Sequence, residues 1–212
     1  LKPLDVVIFF ALAVVVYLVL RAYLWRALLC LQPGSIEVGE DAPADTQLPD
    51  GLTATDQVLV REGFKRIGSH YERPRLHQAL VSHDYAHPSE GTYATVYLGR
   101  DARPRLYFLT ETEEGALVIT ANFHRPAREV PGRYSSGCLE NLPVARVFKA
   151  HVRRLAAFGK PKNTEDLSER VRIGQAWFAG AGQWEVRQQN ALGLLWTVGT
   201  LGMVGAVILA KQ

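Results

Sequence analysis

Two long apolar runs bracket this chain, and they limit its architecture more than any other feature. Residues 6–20 are all apolar or Tyr (VVIFFALAVVVYLVL), and the run continues as RAYLWRALLCL to Leu31. Residues 191–210 read ALGLLWTVGTLGMVGAVILA, without a single charge. A bilayer core takes about 20 helical residues. The second run meets that length by itself. The first meets it by taking in Arg21 and Arg26, whose long stems let the charges snorkel toward head groups, with Tyr23 and Trp25 as interface anchors. Pro33-Gly34 then ends the helix. A cleaved signal peptide has a shorter apolar core followed by a small-x-small site, and no such site precedes Pro33.

The expected organisation has four parts. Residues 1–32 form a transmembrane helix with an interfacial extension, 33–60 an acidic linker, 61–190 an α+β extramembrane domain, and 191–212 a second transmembrane helix. Two spans put both termini on one side and the domain on the other. Near the domain side stand Arg21, Arg26 and Arg187, with Arg170 and Arg172 further off, against Lys2, Lys211 and the amino terminus opposite. The positive-inside rule then predicts an inner or plasma membrane protein with a cytoplasmic domain. Free Cys30 and Cys138 are compatible with a reducing compartment. Gly199, Gly202, Ala206 and Ala210 form a small-residue stripe expected to pack the second span against the first, or against another copy.

Whole-chain composition hides this partition. With 24 Lys and Arg against 21 Asp and Glu, the net charge of +3 does not mark a nucleic-acid binder. A hydrophobic share of 48% excludes a disordered chain, and two Cys exclude a disulfide scaffold. Yet residues 33–60 carry six acids and no base, while 61–190 carry 20 bases and 14 acids. The acidic segment, punctuated by Pro and Gly, reads as extended chain.

Within the domain, Thr53 or Thr55 is placed to cap a short helix through Leu59 toward Gly63. Alternating Tyr93, Thr95, Tyr97 and Ala94, Val96, Leu98 predict a strand. Residues 105–112 and 116–123 predict two more, joined at Glu113-Glu114-Gly115. They form an antiparallel meander, with residues 78–81 a possible fourth strand and 124–141 loop. Val144, Val147, Phe148, Leu155 and Phe158 share one helix face, begun at Pro143 and ended by Gly159. A further helix is expected from Asn163-Thr164, its apolar side continued by Leu167, Val171, Trp177 and Phe178. The sum is a small α+β domain, a meander covered by two or three helices.

Chemical motifs are sparse. His83 and His87 are four apart, and with His77 they are the candidate metal ligands, although Pro88 and Gly91 argue against a helix there. Cys138 with His124 or His151 is the candidate thiol–base pair, without a third group to orient it. His151, between Phe148 and Leu155, reads as a core histidine. The chain has no P-loop, GxGxxG or CxxC pattern, so no cofactor is implied. Its most informative pattern is electrostatic. Arg146, Lys149, Arg153 and Arg154 lie on a helix whose other face is apolar, a surface suited to anionic head groups or to a protein partner.

The expected function is that of a non-enzymatic membrane accessory or scaffold protein. It would dock onto a larger membrane complex or onto its own copies, in a lipid bilayer and without nucleic acid. The alternative is a membrane-anchored enzyme or a ligand- or metal-sensing domain using the His and Cys groups.

Overall fold

The computed structural model describes residues 3–162 and 166–210, with side chains from residue 6 onward. In chain order the first elements are α1 (Pro3–Leu31), β1 (Glu37–Ala42), α2 (Thr53–Arg61), β2 (Lys65–Arg73), β3 (Leu80–His87), β4 (Thr92–Leu98) and β5 (Pro104–Glu111). There follow β6 (Leu117–Ala121), β7 (Arg128–Val130), β8 (Tyr134–Cys138), α3 (Val144–Leu155), α4 (Leu167–Ala179) and α5 (Gln183–Leu209). They form two compact units. One is helical, made of Leu1–Ile36, Pro74–His77 and Phe178–Gln212; the other is α+β, made of Glu37–Arg73 and Gln78–Trp177.

The α+β unit is built on one eight-stranded sheet in the order β1-β2-β3-β4-β5-β6-β8-β7. Every neighbouring pair is antiparallel except β6 and β8. The expected meander is its centre, β4 to β6. Because side chains alternate across a strand, the sheet has two distinct faces. Tyr85, Ala94, Val96, Leu106 and Phe108 line one face and pack under Leu59 of α2 and Val147 and Phe148 of α3, with Phe64 between them. The other face carries Asp84, Thr95 and Tyr107, over which α4 lays Arg170. The α+β class therefore holds, with a larger sheet than the sequence pattern suggests.

Three local readings change. The acidic segment is not a free linker throughout, because residues 37–42 pair with β2 as an edge strand. Val38 of that strand is buried, and its carbonyl accepts from Gln175 Nε2 at 2.9 Å. The acids beside it blunt an exposed edge. Helix α2 starts without a side-chain cap from Thr53, since Leu52 occupies the capping position. Residues 124–141 are not all loop, since they contain β7 and β8. The small side chains of YSSGC give little strand signal. The segment becomes a strand through non-local pairing with β6.

The expected start of α4 at Asn163-Thr164 lies outside the described residues. The helix is capped by Asp166, whose carboxylate accepts from the Ser168 N–H at 3.1 Å. On the exposed side of α4, Arg172 reaches Glu169 at 2.6 Å and also Glu111 of β5, and Lys162 bonds both acids. The Arg172 and Lys162 hydrogen bonds pull the Glu169 carboxyl down to about 2.

In the helical unit α1 and α5 run antiparallel. The Tyr23 ring stacks on Trp196 with centroids 6.0 Å apart, and Arg26 donates to the Gln189 carbonyl at 2.8 Å and to Asn190 Oδ1 at 3.4 Å. At Gly193 the two helices leave no room for a side chain, since any Cβ would collide with Cβ of Arg26. The buried positions Asn190, Gly193, Thr197 and Thr200 repeat at three- and four-residue spacing and form the seam. The expected stripe does not lie on it. Gly199 and Gly202 have no neighbour within 4 Å, and Ala206 and Ala210 are exposed. Six residues at about 100° each put Gly199 roughly 120° around the helix from Gly193. The seam instead follows the phase that gives Arg26 its polar partners.

Candidate functional site

A charged group lies beneath α4. Successive strands β2, β3, β4 and β5 bring His70, Asp84, Thr95 and Tyr107 side by side across one face of the sheet. His70 Nδ1 meets Asp84 Oδ2 at 2.5 Å, and both residues are fully buried. Asp84 Oδ1 accepts from Thr95 Oγ1 at 2.7 Å and pairs with Arg170 Nε at 3.3 Å. Arg170 also donates to Thr95 Oγ1 at 3.0 Å and to Tyr107 Oη at 2.6 Å. His70 Nε2 lies 3.5 Å from Glu72.

Burial works against every charge here, and the partners overcome it. Burial lowers the His70 pKa, but the Asp84 carboxylate holds it above the ordinary histidine value. Burial raises the Asp84 pKa, but His70 and Arg170 hold it below the ordinary carboxylate value. The Tyr107 hydroxyl is pushed up to about 12 by burial, so it stays protonated. The His70–Asp84 pair and Arg170 thus hold one another under the helix, with Glu72 at the edge of the group. With Asp84 and His70 fully buried and Arg170 only 1% exposed, this group pins α4 to the sheet and offers no open face to a substrate.

The histidines singled out in the sequence do not converge. His83 and His87 both lie in strand β3, where four residues span roughly 13 Å. His83 Nδ1 accepts from Arg66 at 3.3 Å, and burial followed by the Arg66 charge lowers its pKa. His87 Nε2 donates to the Glu62 carbonyl at 3.0 Å, and its ring packs against Phe64 and Phe148. His77 belongs to the helical unit, 4.5 Å from the Trp25 ring centroid. His151 is a core histidine between Thr110 Oγ1 at 2.9 Å and Thr120 Oγ1 at 3.1 Å. Burial, aided by Arg154, lowers its pKa to about 3, so the ring is neutral.

A different grouping forms where β6 and β8 leave the sheet. Their parallel register sets Ala121 opposite Cys138. Leu139 N–H donates to the Ala121 carbonyl at 2.8 Å and Asn141 N–H to Asn122 at 3.3 Å, which carries the pairing beyond both strands. His124, Cys138 and Glu140 are thereby gathered, with their ligand atoms all within 4.8 Å of one another. His124 Nδ1 lies 2.9 Å from Glu140 Oε1. The Cys138 thiol donates toward the Arg125 carbonyl at 3.5 Å and toward Glu140 Oε1 at 3.8 Å. Among the described residues this is the one cluster of three metal-ligating side chains. Of the two histidines that the sequence offers beside Cys138, His124 lies in this group and His151 lies in the core. Sequence reasoning missed Glu140, because the parallel strand pair is what makes the three meet.

The basic helix face divides in two. Arg146, Lys149 and Arg153 are exposed on the outer side of α3. Arg154 turns inward and donates to the Ile119 carbonyl and to Thr120 Oγ1, each at 3.2 Å. Its guanidinium lies over Gly137, where a Cβ would sit 3.2 Å from Arg154 Nη2. Arg154 is therefore withdrawn from the expected contact surface by its bonds to the Ile119 carbonyl and the Thr120 hydroxyl.

No family model, curated protein or solved structure matches this chain.

Proposed function

We propose that the chain is an integral membrane accessory or scaffold protein. Helices α1 and α5 anchor it, and its α+β unit docks onto a larger membrane complex or onto further copies of itself. The observation that carries this reading is the surface of the helix pair. Phe10, Leu18, Leu195, Leu201 and Leu209 are exposed along it. Helices of 29 and 27 residues reach roughly 40 Å, enough to cross a hydrocarbon core of about 30 Å. Apolar side chains over that length need lipid or protein around them.

Orientation follows from fewer arginines than the sequence offers. Arg170 is buried against Asp84 and Arg172 is held by Glu111 and Glu169. Arg21, Arg26 and Arg187 remain at the inner ends of the two runs against Lys2 and Lys211 at the outer ends, a Lys/Arg excess of one in favour of a cytoplasmic α+β unit. Each unit then offers its own docking surface: the outer face of α3, with Arg146, Lys149 and Arg153, and the uncovered small-residue face of α5. Anionic head groups or acidic protein surfaces suit the first, and a closely packed helix suits the second.

The test is extraction and mass. The protein should resist alkaline carbonate and require detergent for release. In mild detergent it should migrate with a stoichiometric partner or as an oligomer. Release by carbonate would end the membrane reading, and a lone monomer would end the docking reading.

A further inference from the structure

We propose that His124, Cys138 and Glu140 form a binding site for a borderline divalent metal ion, zinc or cobalt in class. This is independent of the docking reading.

The donor set is chemically selective. An imidazole nitrogen, a thiolate and a carboxylate are each ligands that Zn²⁺ takes, and a site with three protein ligands leaves the fourth position to water or another ligand. Hard cations such as Ca²⁺ and Mg²⁺ prefer all-oxygen shells, and the thiolate disfavours them. Ligand atoms on one tetrahedral zinc ion lie roughly 3.3–3.6 Å apart, given the usual metal–ligand lengths. The observed 2.9 Å from His124 to Glu140 and 3.8 Å from Cys138 to Glu140 bracket that spacing. Those two pairs need shifts of only a few tenths of an ångström to coordinate one ion, and the Cys138 and His124 ligand atoms lie within 4.8 Å of each other.

Topology supplies the preorganisation. The site lies at the carboxyl ends of the one parallel pair in the sheet, and both chain segments are held there by backbone hydrogen bonds. Exposure is graded in the same sense. Cys138 is half-buried, whereas the His124 side chain is 81% and the Glu140 side chain 48% exposed. An ion seated on the thiolate would therefore keep a side open to solvent. On binding, Cys138 gives its proton to solvent, and the His124–Glu140 contact is replaced by two bonds to the ion.

The experiment uses the full chain in detergent, reduced with a non-thiol phosphine and titrated with Co²⁺. One Co²⁺ per chain should bind, with a thiolate-to-cobalt band in the near ultraviolet and tetrahedral bands in the visible, both removed by Zn²⁺. Cys138→Ser should abolish the near-ultraviolet band, and Cys30→Ser should leave it unchanged. His124→Ala and Glu140→Gln should each weaken binding by more than about tenfold. Circular dichroism of each variant establishes that it is folded. Absence of saturable uptake overturns the proposal. So does a band that survives Cys138→Ser, or binding indifferent to both His124→Ala and Glu140→Gln, which would leave these residues a surface ion pair beside a thiol.

Discussion

His70 Nδ1 and Asp84 Oδ2 lie 2.5 Å apart at a point where neither residue is exposed to solvent. Their shifts agree in sense, His70 up and Asp84 down, as for a true ion pair. Arg170 closes the group from α4. A buried pair is weak evidence of net stabilisation, but breaking one is costly because a charge is left unpaired. Asp84→Asn should therefore destabilise the α+β unit by about 3–5 kcal/mol in denaturant unfolding. The apolar double variant Asp84→Leu/Arg170→Met should recover part of that loss. An Asp84→Asn effect below about 1 kcal/mol would show that the group is not holding α4.

Two buried histidines should give opposite pH slopes. His70 has a raised pKa, so its contribution is complete below the unfolded value of 6.5 and is lost as pH rises through the folded value. His151 has its pKa lowered from 6.5 to about 3, so its neutral form favours folding above 6.5 and protonation opposes folding as pH falls toward 3. Between about pH 6.5 and 5 this should remove about 2 kcal/mol. His151→Gln, which can still reach Thr110 and Thr120, should flatten the acid limb of a stability–pH curve. His70→Gln should narrow its gap from the parent protein at high pH. Parallel curves for all three proteins would contradict both assignments.

Much of the fold was legible because it rests on local periodicity. The two apolar helices, the central strands β4 to β6 and the amphipathic α3 each follow from the order of their own side chains. What stayed hidden depends on pairing at long range. β8 is a strand because β6 lies beside it, and its Ser, Ser and Gly give no periodic signal. The charged group under α4 joins His70, Asp84 and Arg170 from three elements, and only the sheet register makes them neighbours. The same holds for Glu140 beside His124. Spacing of four suggested that His83 and His87 act together, but in a strand that spacing separates them.

Arg154 should separate from its basic neighbours in experiment. It donates to the Ile119 carbonyl and to Thr120 Oγ1, whereas Arg146, Lys149 and Arg153 face outward. Arg154→Ala should cost about 1–2 kcal/mol of stability through the lost hydrogen bonds, with no change in partner retention. Reversing Arg146, Lys149 and Arg153 to Glu should leave stability within about 0.5 kcal/mol. If the outer face of α3 docks onto an acidic protein as proposed, the reversal should also reduce co-purification of that protein, in the same direction as raising the salt. Equal effects on stability from both sets would remove the distinction between an inner and an outer arginine.

Gly193 and Gly199 lie on one helix but face different neighbours. Gly193 sits against Arg26 with no room for a side chain, whereas Gly199 has nothing within 4 Å. Leu at position 193 must force α1 and α5 apart, at about 1–3 kcal/mol for overpacking. It should also lower disulfide trapping between Tyr23→Cys and Trp196→Cys, built in a background lacking Cys30. Gly199→Leu should leave that trapping at the parent rate, because it points away from α1. If the small-residue face of α5 receives a second copy or another membrane helix, Gly199→Leu will reduce the particle mass in mild detergent while the trapping stays intact. An unchanged mass would remove this face from the docking surface. Undiminished trapping in Gly193→Leu would place the seam elsewhere on α5.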